Sequence, residues 1–584
     1  MSEDQHITAQ TPPRSVADQL PAPQRRFSLD GTIKLALETG RTRLLVTALV
    51  FAAAFLVVGA RLVEISLFQD ALEPRLAQRT IGGGLETGRA DIVDRNGVIL
   101  ATTMPAASLY ANPRQIDDPQ AVARRLARIL PEIAPEALAA RLGLDRSFVW
   151  LKRKISPRQQ YEVNRLGIPG LYFQRERERV YPHGALTSHV VGYTNVDNQG
   201  LAGMEQAYDE LLRSGIAPLQ LSLDLSIQHI LSEELAAAMA EFRAIGATGL
   251  VLDADSGEVV AMSSLPSFAP ENVGSASADA RFNRASLGIY EMGSVFKIFT
   301  TAMALEEGVV GLEDGYDVSK PIRVARFTIN DYKPKKRWLS IPEIFIYSSN
   351  IGTVHMAMEA GTSAQQSFLA GLGLTGTPRY ELPEIGQPLK PSPWREINTM
   401  TISYGHGLAV SPIQLASAVA AVVNGGQLKP VTLLKRTEGQ PVEGHRVMSP
   451  ETSRKMSWLM RLVVRHGTGR KADATGYMVG GKTGTADKLR GRGYARNARI
   501  ASFVAAFPMD RPRYVIFAMV DEPKGTKETH GYATGGWVAA PVVRRVVERI
   551  APLLGVRPRP PDEEEGAEAL LIPVNFKGTM FAAQ

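Results

Sequence analysis

One uncharged hydrophobic segment near the N-terminus constrains the fold of this chain more than any other feature. The segment Leu44–Ala60 reads LLVTALVFAAAFLVVGA, seventeen positions without a charge, with Arg41 and Arg43 before it and Arg61 after it. A helix rises ~1.5 Å per residue, so the segment would span ~25 Å, enough to cross a bilayer once the flanking arginines extend to the interface. The sequence therefore predicts a transmembrane helix over residues 41–63.

Such a segment can also be interpreted in two other ways, and the flanking charges help to distinguish them from a transmembrane helix. A buried core helix is one alternative; the other is a cleaved signal peptide, whose apolar region runs only ~7–15 residues and ends at small residues, where this chain has Arg61. Basic residues are more frequent before the segment than after it, which by the positive-inside rule places the N-terminus in the cytoplasm. The later charge-free stretches of this length, such as residues 360–378 and 397–428, are interrupted by Gly, Pro and polar residues, so we expect a single span with the remaining chain outside.

Composition excludes several classes of protein. At 584 residues the chain is too long for one hydrophobic core, so at least two domains are expected. The net charge of +7 is a mild excess, and the basic residues are spread out with only 7% aromatics, which argues against a nucleic-acid partner. The absence of cysteine excludes disulfides, thiolate metal ligands and a cysteine nucleophile, and fits either redox compartment.

Composition shifts divide the chain into five segments. Residues 1–40 are polar and predict a mostly disordered cytoplasmic tail before the 41–63 span. In 64–215, Asn96-Gly97 between strand-like runs predicts a hairpin, and 117–167 has helical apolar spacing, which together indicate a separate noncatalytic domain. Residues 216–555 read as strands, a helical insertion and further strands of one sheet, an α+β order. The Pro-rich, acidic residues 556–584 predict a flexible tail.

The first candidate for chemistry is the sequence Ser294-Val-Phe-Lys297. Residues three apart share a helix face, so the serine hydroxyl and the lysine amine would lie within hydrogen-bond reach. Apolar neighbours such as Phe296 would desolvate the amine, lower its pKa and allow it to take the serine proton. Alone, this pattern is more often part of an ordinary helix surface.

Two further short motifs follow. In Ser348-Ser-Asn350, a tight turn would point the hydroxyl and the amide into one cleft, although a helix N-cap is the commoner use of such residues. In Lys482-Thr483-Gly484-Thr485, a strand would offer a charge and a hydroxyl to a carboxylate, while the glycine would let an extended substrate lie against the backbone. A plain glycine turn is the alternative to this second interpretation.

The three motifs together, in this order, resemble the signature of the penicillin-recognising serine enzymes. They are separated by 54 and 134 residues, and no Gly-x-Ser-x-Gly, His-Glu-x-x-His or Walker motif competes with them. From about residue 40 to 550 the chain resembles class B penicillin-binding proteins, most closely the division-specific, FtsI-like branch. The pieces that carry this resemblance are GRADIVDRNGVILA, RVYPHG, GYTNVDNQGLAGME, FNRASLGIYEMGSVFK, YSSNIGT, SYGHGLAVSPIQLA, GKTGTADK and YATGGWVAAPV.

The resemblance implies a penicillin-binding serine transpeptidase fold, an antiparallel sheet with a helical subdomain, preceded by an extended noncatalytic dimerisation or pedestal domain and the membrane helix. It also implies roles for the motif residues in acyl transfer from a D-Ala-D-Ala stem peptide, with no metal and no cofactor. Ser294 would be the nucleophile, Lys297 the general base and Ser348 the proton relay; Asn350 would hold the substrate amide, Lys482 and Thr483 the terminal carboxylate, Gly484 the extended substrate backbone, and the Ser294 and Thr485 amides the oxyanion.

The same resemblance implies partners and a location. Stem peptides on glycan strands would be the substrates, β-lactams would acylate Ser294, and an FtsW-like glycosyltransferase with other division proteins would be membrane partners. The catalytic domain would be periplasmic, at the septum, on a protein anchored in the inner membrane. An elongation-type transpeptidase and a D,D-carboxypeptidase or β-lactamase share the three motifs and remain alternatives; a β-lactam sensor or an idle scaffold lacks support in the single predicted span and intact motifs.

Overall fold

A computed structural model of the chain describes residues 48–59, 88–324, 327–437, 439–490, 493–560 and 562–564, without the side chains of 327, 489, 490 and 493–497. The chain divides into two compact units, Met1–Gly84 and Leu85–Gln584. In the first unit, helix α1 (residues 48–59) exposes its apolar side chains, among them Phe55 and Leu56. No helix within the described ranges has the length and apolarity to cross a membrane. Most of the predicted 41–63 span, the 1–40 tail and 64–87 lie outside those ranges.

The first part of the second unit is built on a mixed sheet with the strand order β3-β2-β1-β7, in which β4 also pairs with β2. The predicted hairpin joins β1 to β2: Asp94 accepts the backbone N–H groups of Asn96 and Val98, and Gly97 has a φ of +87°. Strand β7 returns to pair with β1 in parallel, so residues after the predicted boundary at 215 complete this sheet. The elements are β1 Ile92–Val93, β2 Ile99–Ala111, α2 Pro119–Ala127, α3 Pro135–Leu142, β3 Val149–Ile155, α4 Pro157–Arg165, β4 Leu171–Val180, α5 Ser188–Val191, β5 Tyr193–Thr194, β6 Gly200–Ala202, α6 Gly203–Ala207, α7 Asp209–Ser214 and β7 Leu219–Gln220.

The prediction of helix throughout 117–167 is wrong in its middle. Helices α2, α3 and α4 lie there, but β3 separates α3 from α4 and pairs with β2. Leu151 and Ile155 of β3 point into the small core that α2 and α3 cover. The β-branched and aromatic residues of VWLKRKI favour a strand, and pairing to β2 decides the matter.

The second part has a five-stranded antiparallel sheet in the order β16-β17-β18-β8-β9. Leu250 of β8 faces one core and Val251 the other, as the period of two requires. Helices α8 and α17 cover one face, and the inserted helices cover the other, which confirms the predicted α+β order. The elements are α8 Leu225–Glu241, β8 Gly246–Asp253, β9 Val259–Leu265, α9 Ala278–Arg281, α10 Lys297–Glu306, β10 Gly315–Asp317, β11 Ile322–Val324, β12 Phe327–Ile329, β13 Trp338–Ser340, α11 Ile341–Tyr347, α12 Asn350–Ala360, α13 Thr362–Gly371, α14 Glu396–Ser403, α15 Pro412–Val423, β14 Gln427–Leu428, β15 His445–Arg446, α16 Pro450–His466, β16 Gly480–Arg490, β17 Gly493–Phe507, β18 Tyr514–Asp521 and α17 Gly535–Ile550.

The first described residues of the predicted flexible tail are docked, which corrects the prediction for 556–560 and 562–564. Glu564 is 8% exposed, accepts a hydrogen bond from the Gly476 backbone and lies 2.7 Å from the Arg461 guanidinium. Arg461 in α16 is itself 2% exposed, and a buried guanidinium requires anionic partners. Composition alone could not reveal that an acidic residue of the tail has such a partner.

Candidate active site

The Ser294 motif begins in a single 3₁₀ turn, Gly293–Phe296, that leads directly into α10. Gly293 has a φ of +52°, and a Cβ on it would lie 2.5 Å from the Thr485 carbonyl oxygen, so only glycine fits between this turn and β16. Ser294 is half-buried, whereas Lys297 is 1% exposed. The Lys297 Nζ lies 3.1 Å from the Ser294 Oγ, as the three-residue spacing predicts.

The second motif joins two helices. Ser348 ends α11 in the left-handed conformation, with φ 59° and ψ 45°, and Ser349 then caps the N-terminus of α12. This sharp turn brings the Ser348 carbonyl oxygen to 2.6 Å and its Oγ to 3.1 Å from Lys297 Nζ. Asn350 accepts from the same amine at 2.7 Å and donates to the Asn330 carbonyl oxygen. Both ends of the Asn350 amide therefore have partners within the protein.

The third motif lies on β16, an edge strand of the sheet. Lys482 is 0% exposed, and its Nζ donates to Ser348 Oγ at 2.9 Å. Thr483 Oγ1 pairs with Thr468 Oγ1 at 2.8 Å, and Thr485 Oγ1 accepts from the Gly535 backbone at 3.1 Å. The structure thus brings the three motifs together around the Ser348 hydroxyl.

Gly484 has a packing role that the sequence argument did not include. A Cβ at this position would lie 2.3 Å from Ser502 Oγ and 2.7 Å from the Met292 carbonyl oxygen. The glycine therefore allows β16 to pack against the turn that carries Ser294. Its role toward an extended substrate stays a prediction.

Burial of the two amines decides their chemistry. Burial lowers the pKa of Lys297 well below its usual range; the Lys482 charge lowers it further, and the Asp331 charge acts in the opposite direction. Burial also lowers the pKa of Lys482, to about 7. Both shifts favour the neutral form of the amine, and Lys297 is the amine that lies beside the Ser294 hydroxyl. A neutral amine beside a serine hydroxyl can act as a general base.

Two residues of the site were not found from the sequence. Asp331 lies 8% exposed under the second motif and bonds to Ser349, Asn350 and Ile351, and Thr468 bonds to Thr483. A single Asp in a loop and a single Thr after a helix have no spacing that distinguishes them. The Asn330-Asp331 pair, typical of turn and capping positions, was the available signal.

Comparison with known proteins agrees with this geometry. The sequence model of the penicillin-binding protein transpeptidase domain matches residues 247–548, and that of the penicillin-binding protein dimerisation domain matches 85–224. This chain belongs to the penicillin-binding protein transpeptidases. All eight motif residues lie within the matched transpeptidase segment.

Relatives of this penicillin-binding protein cover most of the chain. It is 40% identical over 488 residues to the probable peptidoglycan D,D-transpeptidase FtsI of Caulobacter vibrioides, covering 81% of this chain and 82% of the relative. The crystal structure of penicillin-binding protein 3 from Mycobacterium tuberculosis, complexed with aztreonam, has a TM-score of 0.64 at 24% identity and covers 82% of this chain and 98% of its own. The transpeptidase domain of Burkholderia pseudomallei penicillin-binding protein 3 has a TM-score of 0.53 at 35% identity, covering 58% and 98%.

Proposed function

We propose that this protein is an FtsI-type peptidoglycan D,D-transpeptidase that crosslinks stem peptides through an acyl-enzyme on Ser294. The observation that carries the proposal is the Lys297 amine, which is buried, of lowered pKa and 3.1 Å from the Ser294 hydroxyl. The similarity to the Caulobacter vibrioides FtsI protein supports the substrate class.

Acylation begins with transfer of the Ser294 proton to the neutral Lys297 amine. The Ser294 oxygen then attacks the carbonyl carbon of the penultimate D-Ala, and the backbone N–H groups of Ser294 and Thr485 stabilise the oxyanion. Strand β16 lies at the sheet edge, so an extended stem peptide can add to it through main-chain hydrogen bonds. Asn350 orients the substrate amide from the opposite side of the cleft.

The terminal D-Ala leaves with a proton relayed through Ser348. That hydroxyl lies 3.1 Å from Lys297 Nζ and 2.9 Å from Lys482 Nζ, so it bridges the base to the amine on β16. Lys482 and Thr483 bind the terminal carboxylate of the donor. A side-chain amine of a neighbouring stem then attacks the Ser294 ester and forms the crosslinking amide. Ser294 leaves as its hydroxyl, regenerated with the proton that the amine loses.

The second candidate is hydrolysis of the same acyl-enzyme, as in a D,D-carboxypeptidase or β-lactamase. Rapid hydrolysis requires a base that activates water beside the ester. The noncatalytic domain that precedes the catalytic domain favours the transpeptidase; rapid turnover of penicillin by the purified protein would reverse the preference. An elongation-type role is the other alternative.

The location and partners form part of the same proposal. Residues 41–63 anchor the protein in the inner membrane with the N-terminus in the cytoplasm, and the catalytic domain acts in the periplasm at the septum. An FtsW-like glycosyltransferase supplies the glycan strands, as the resemblance to the division-specific branch implies. β-Lactams acylate Ser294; the relative from Mycobacterium tuberculosis was crystallised with aztreonam.

Labelling with a fluorescent penicillin tests the proposal. The full-length protein in detergent micelles should be labelled covalently, and Ser294→Ala should lose the label while retaining the wild-type thermal unfolding transition. Covalent labelling of the alanine variant at the wild-type rate would show that Ser294 is not the nucleophile.

A further inference from the structure

The Asp331 carboxylate holds the turn that carries the second motif. Its Oδ1 accepts the backbone N–H groups of Asn350 at 2.6 Å and Ile351 at 3.0 Å, and its Oδ2 accepts the Ser349 hydroxyl at 2.7 Å. Ser349 Oγ in turn accepts the Gly352 N–H at 3.1 Å. The N-terminus of α12 is thus capped twice, once by its own serine and once by a buried carboxylate from the loop between β12 and β13.

This cap determines where the catalytic groups lie. Asp331 bonds to Ser349 and Asn350, and the neighbouring Ser348 and Asn350 side chains meet the Lys297 amine. Ser348 has a left-handed backbone that a non-glycine residue adopts only when its surroundings require it. The Asp331 carboxylate holds the residues that directly follow Ser348, and so it fixes the conformation of the Ser348 turn.

Charge gives the same carboxylate a second consequence. Lys297 and Lys482 are both fully buried, and their nearest hydrogen-bond partners are hydroxyl, carbonyl and amide oxygens. Among the elements packed around α10, the charged groups that act on the Lys297 amine are Lys482 from β16 and Asp331. The Asp331 charge therefore opposes the effects of burial and of Lys482 on the Lys297 amine.

We propose that Asp331 is a positioning residue for acyl transfer, which fixes Ser348 and Asn350 against Lys297 and supplies the carboxylate charge that acts on the Lys297 amine. It acts through its neighbours and does not touch the substrate. The inference rests on the proposed function, since its effect is on acylation of Ser294.

The chain contains a matched cap remote from the cleft. Glu306, at the far end of α10, accepts the Ser449 N–H at 3.0 Å, the Ser449 hydroxyl at 2.9 Å and the Thr452 hydroxyl at 2.5 Å, and so caps α16. Glu306 lies nine positions after Lys297 in the same helix, a distance of ~14 Å along the axis. Glu306→Ala removes three hydrogen bonds of the same kinds without reaching the three motifs.

Asp331→Ala tests the positioning role in the full-length protein. We expect acylation by fluorescent penicillin to slow by roughly 10- to 100-fold, because the turn loses its anchor and the reacting groups lose alignment. The loss should lie in the acylation step, with little change in the concentration that half-saturates the enzyme. Glu306→Ala should lower the unfolding temperature and leave the acylation rate of folded protein within about twofold of wild type.

Asp331→Asn tests the charge separately, because it keeps the cap. The asparagine Oδ1 can still accept both N–H groups, and its Nδ2 can donate to the Ser349 Oγ. Since the Asp331 charge raises the Lys297 pKa, its removal lowers that pKa, and the acid limb of the acylation rate should move to lower pH. Loss of a purely structural contact would slow acylation without moving this limb.

The outcomes separate the two proposals. If wild type is not labelled at all, the proposed function fails; if wild type is labelled and folded Asp331→Ala reacts as fast, the positioning role of Asp331 fails. Should Asp331→Ala not fold, Asp331→Asn decides: an acid limb at the wild-type position would overturn the inference, and a limb moved to lower pH would support it.

Discussion

Two regions of this protein bury charged side chains, and they do so in opposite ways. In the dimerisation domain, residues 85–224, Glu205 is 0% exposed and forms ion pairs with Arg89 at 2.5 Å and Arg179 at 2.7 Å. Arg89 also pairs with Asp209 at 2.6 Å. Two cations and two anions are directly paired there. In the catalytic cleft the amines of Lys297 and Lys482 bond to neutral oxygens.

The difference separates structure from reactivity. A buried ion with direct counter-ions keeps its charge and joins distant segments, whereas a buried amine without one is driven toward its neutral form. The pKa of Lys297 is lowered well below its usual range by burial, and a neutral amine is what the proposed acylation requires. Burying the lysine amines without direct counter-ions therefore lowers the stability of the cleft and provides a general base.

The largest expected effect follows from removing the buried Lys297 amine, which has no directly bonded counter-ion. Lys297→Met should slow penicillin acylation by about 10³-fold or more, because the Ser294 hydroxyl loses its general base. The same change should raise the free energy of unfolding by about 1–2 kcal/mol, because it removes a costly buried amine. Acylation rates and urea unfolding measure the two; Lys320→Met, at an exposed position, should change neither. A destabilised variant would contradict the comparison.

In the dimerisation domain we expect a smaller effect, and a loss of stability in place of a gain. Glu205→Gln leaves the buried Arg89 and Arg179 undercompensated, and the free energy of unfolding should fall by about 3–5 kcal/mol. Protein that remains folded should acylate at the wild-type rate. Urea unfolding provides the measurement, with the exposed Glu210→Gln in the same region as a control expected to cost under about 0.5 kcal/mol. Equal losses of unfolding free energy in Glu205→Gln and Glu210→Gln would show that the buried ion pairs of Glu205 do not stabilise this domain.

The smallest effect concerns pH. The Lys482 pKa is lowered to about 7 in the folded protein, against 10.5 in the unfolded chain. Between these values the unfolded chain binds more protons, so raising the pH stabilises the folded protein. Wild type should therefore gain roughly 2 kcal/mol of unfolding free energy relative to Lys482→Met between pH 7 and pH 9, measured by urea unfolding at each pH. Parallel curves for the two proteins would mean that the Lys482 amine titrates normally.

The sequence predicted those parts of the site in which chemistry imposes a spacing. The contact of Ser294 with Lys297 follows from helix geometry, and the α+β order of the catalytic domain follows from alternating runs on either side of a helical insertion. The turn that directs Ser348 toward both lysines also agrees with the prediction for the second motif.

Other parts depend on contacts between distant segments, which no local pattern encodes. Asp331 becomes a cap only because its loop packs under α12, and the strand β3 exists only because β2 lies beside it. The need for glycine at 484 arises from Ser502 and Met292, which approach from another strand and another turn. Glu564 likewise gains its role from Arg461, about a hundred residues earlier in the chain.

The contact of Glu564 with Arg461 has a consequence for biosynthesis. Arg461 also bonds to the Val479 carbonyl oxygen, immediately before the strand that carries Lys482, so the same guanidinium secures the start of β16 and the C-terminal segment. A ribosome that has not yet reached residue 564 has therefore produced a chain in which this guanidinium lacks one of its counter-ions. The start of the strand that completes the cleft therefore obtains this anchor only after residue 564 has been synthesised.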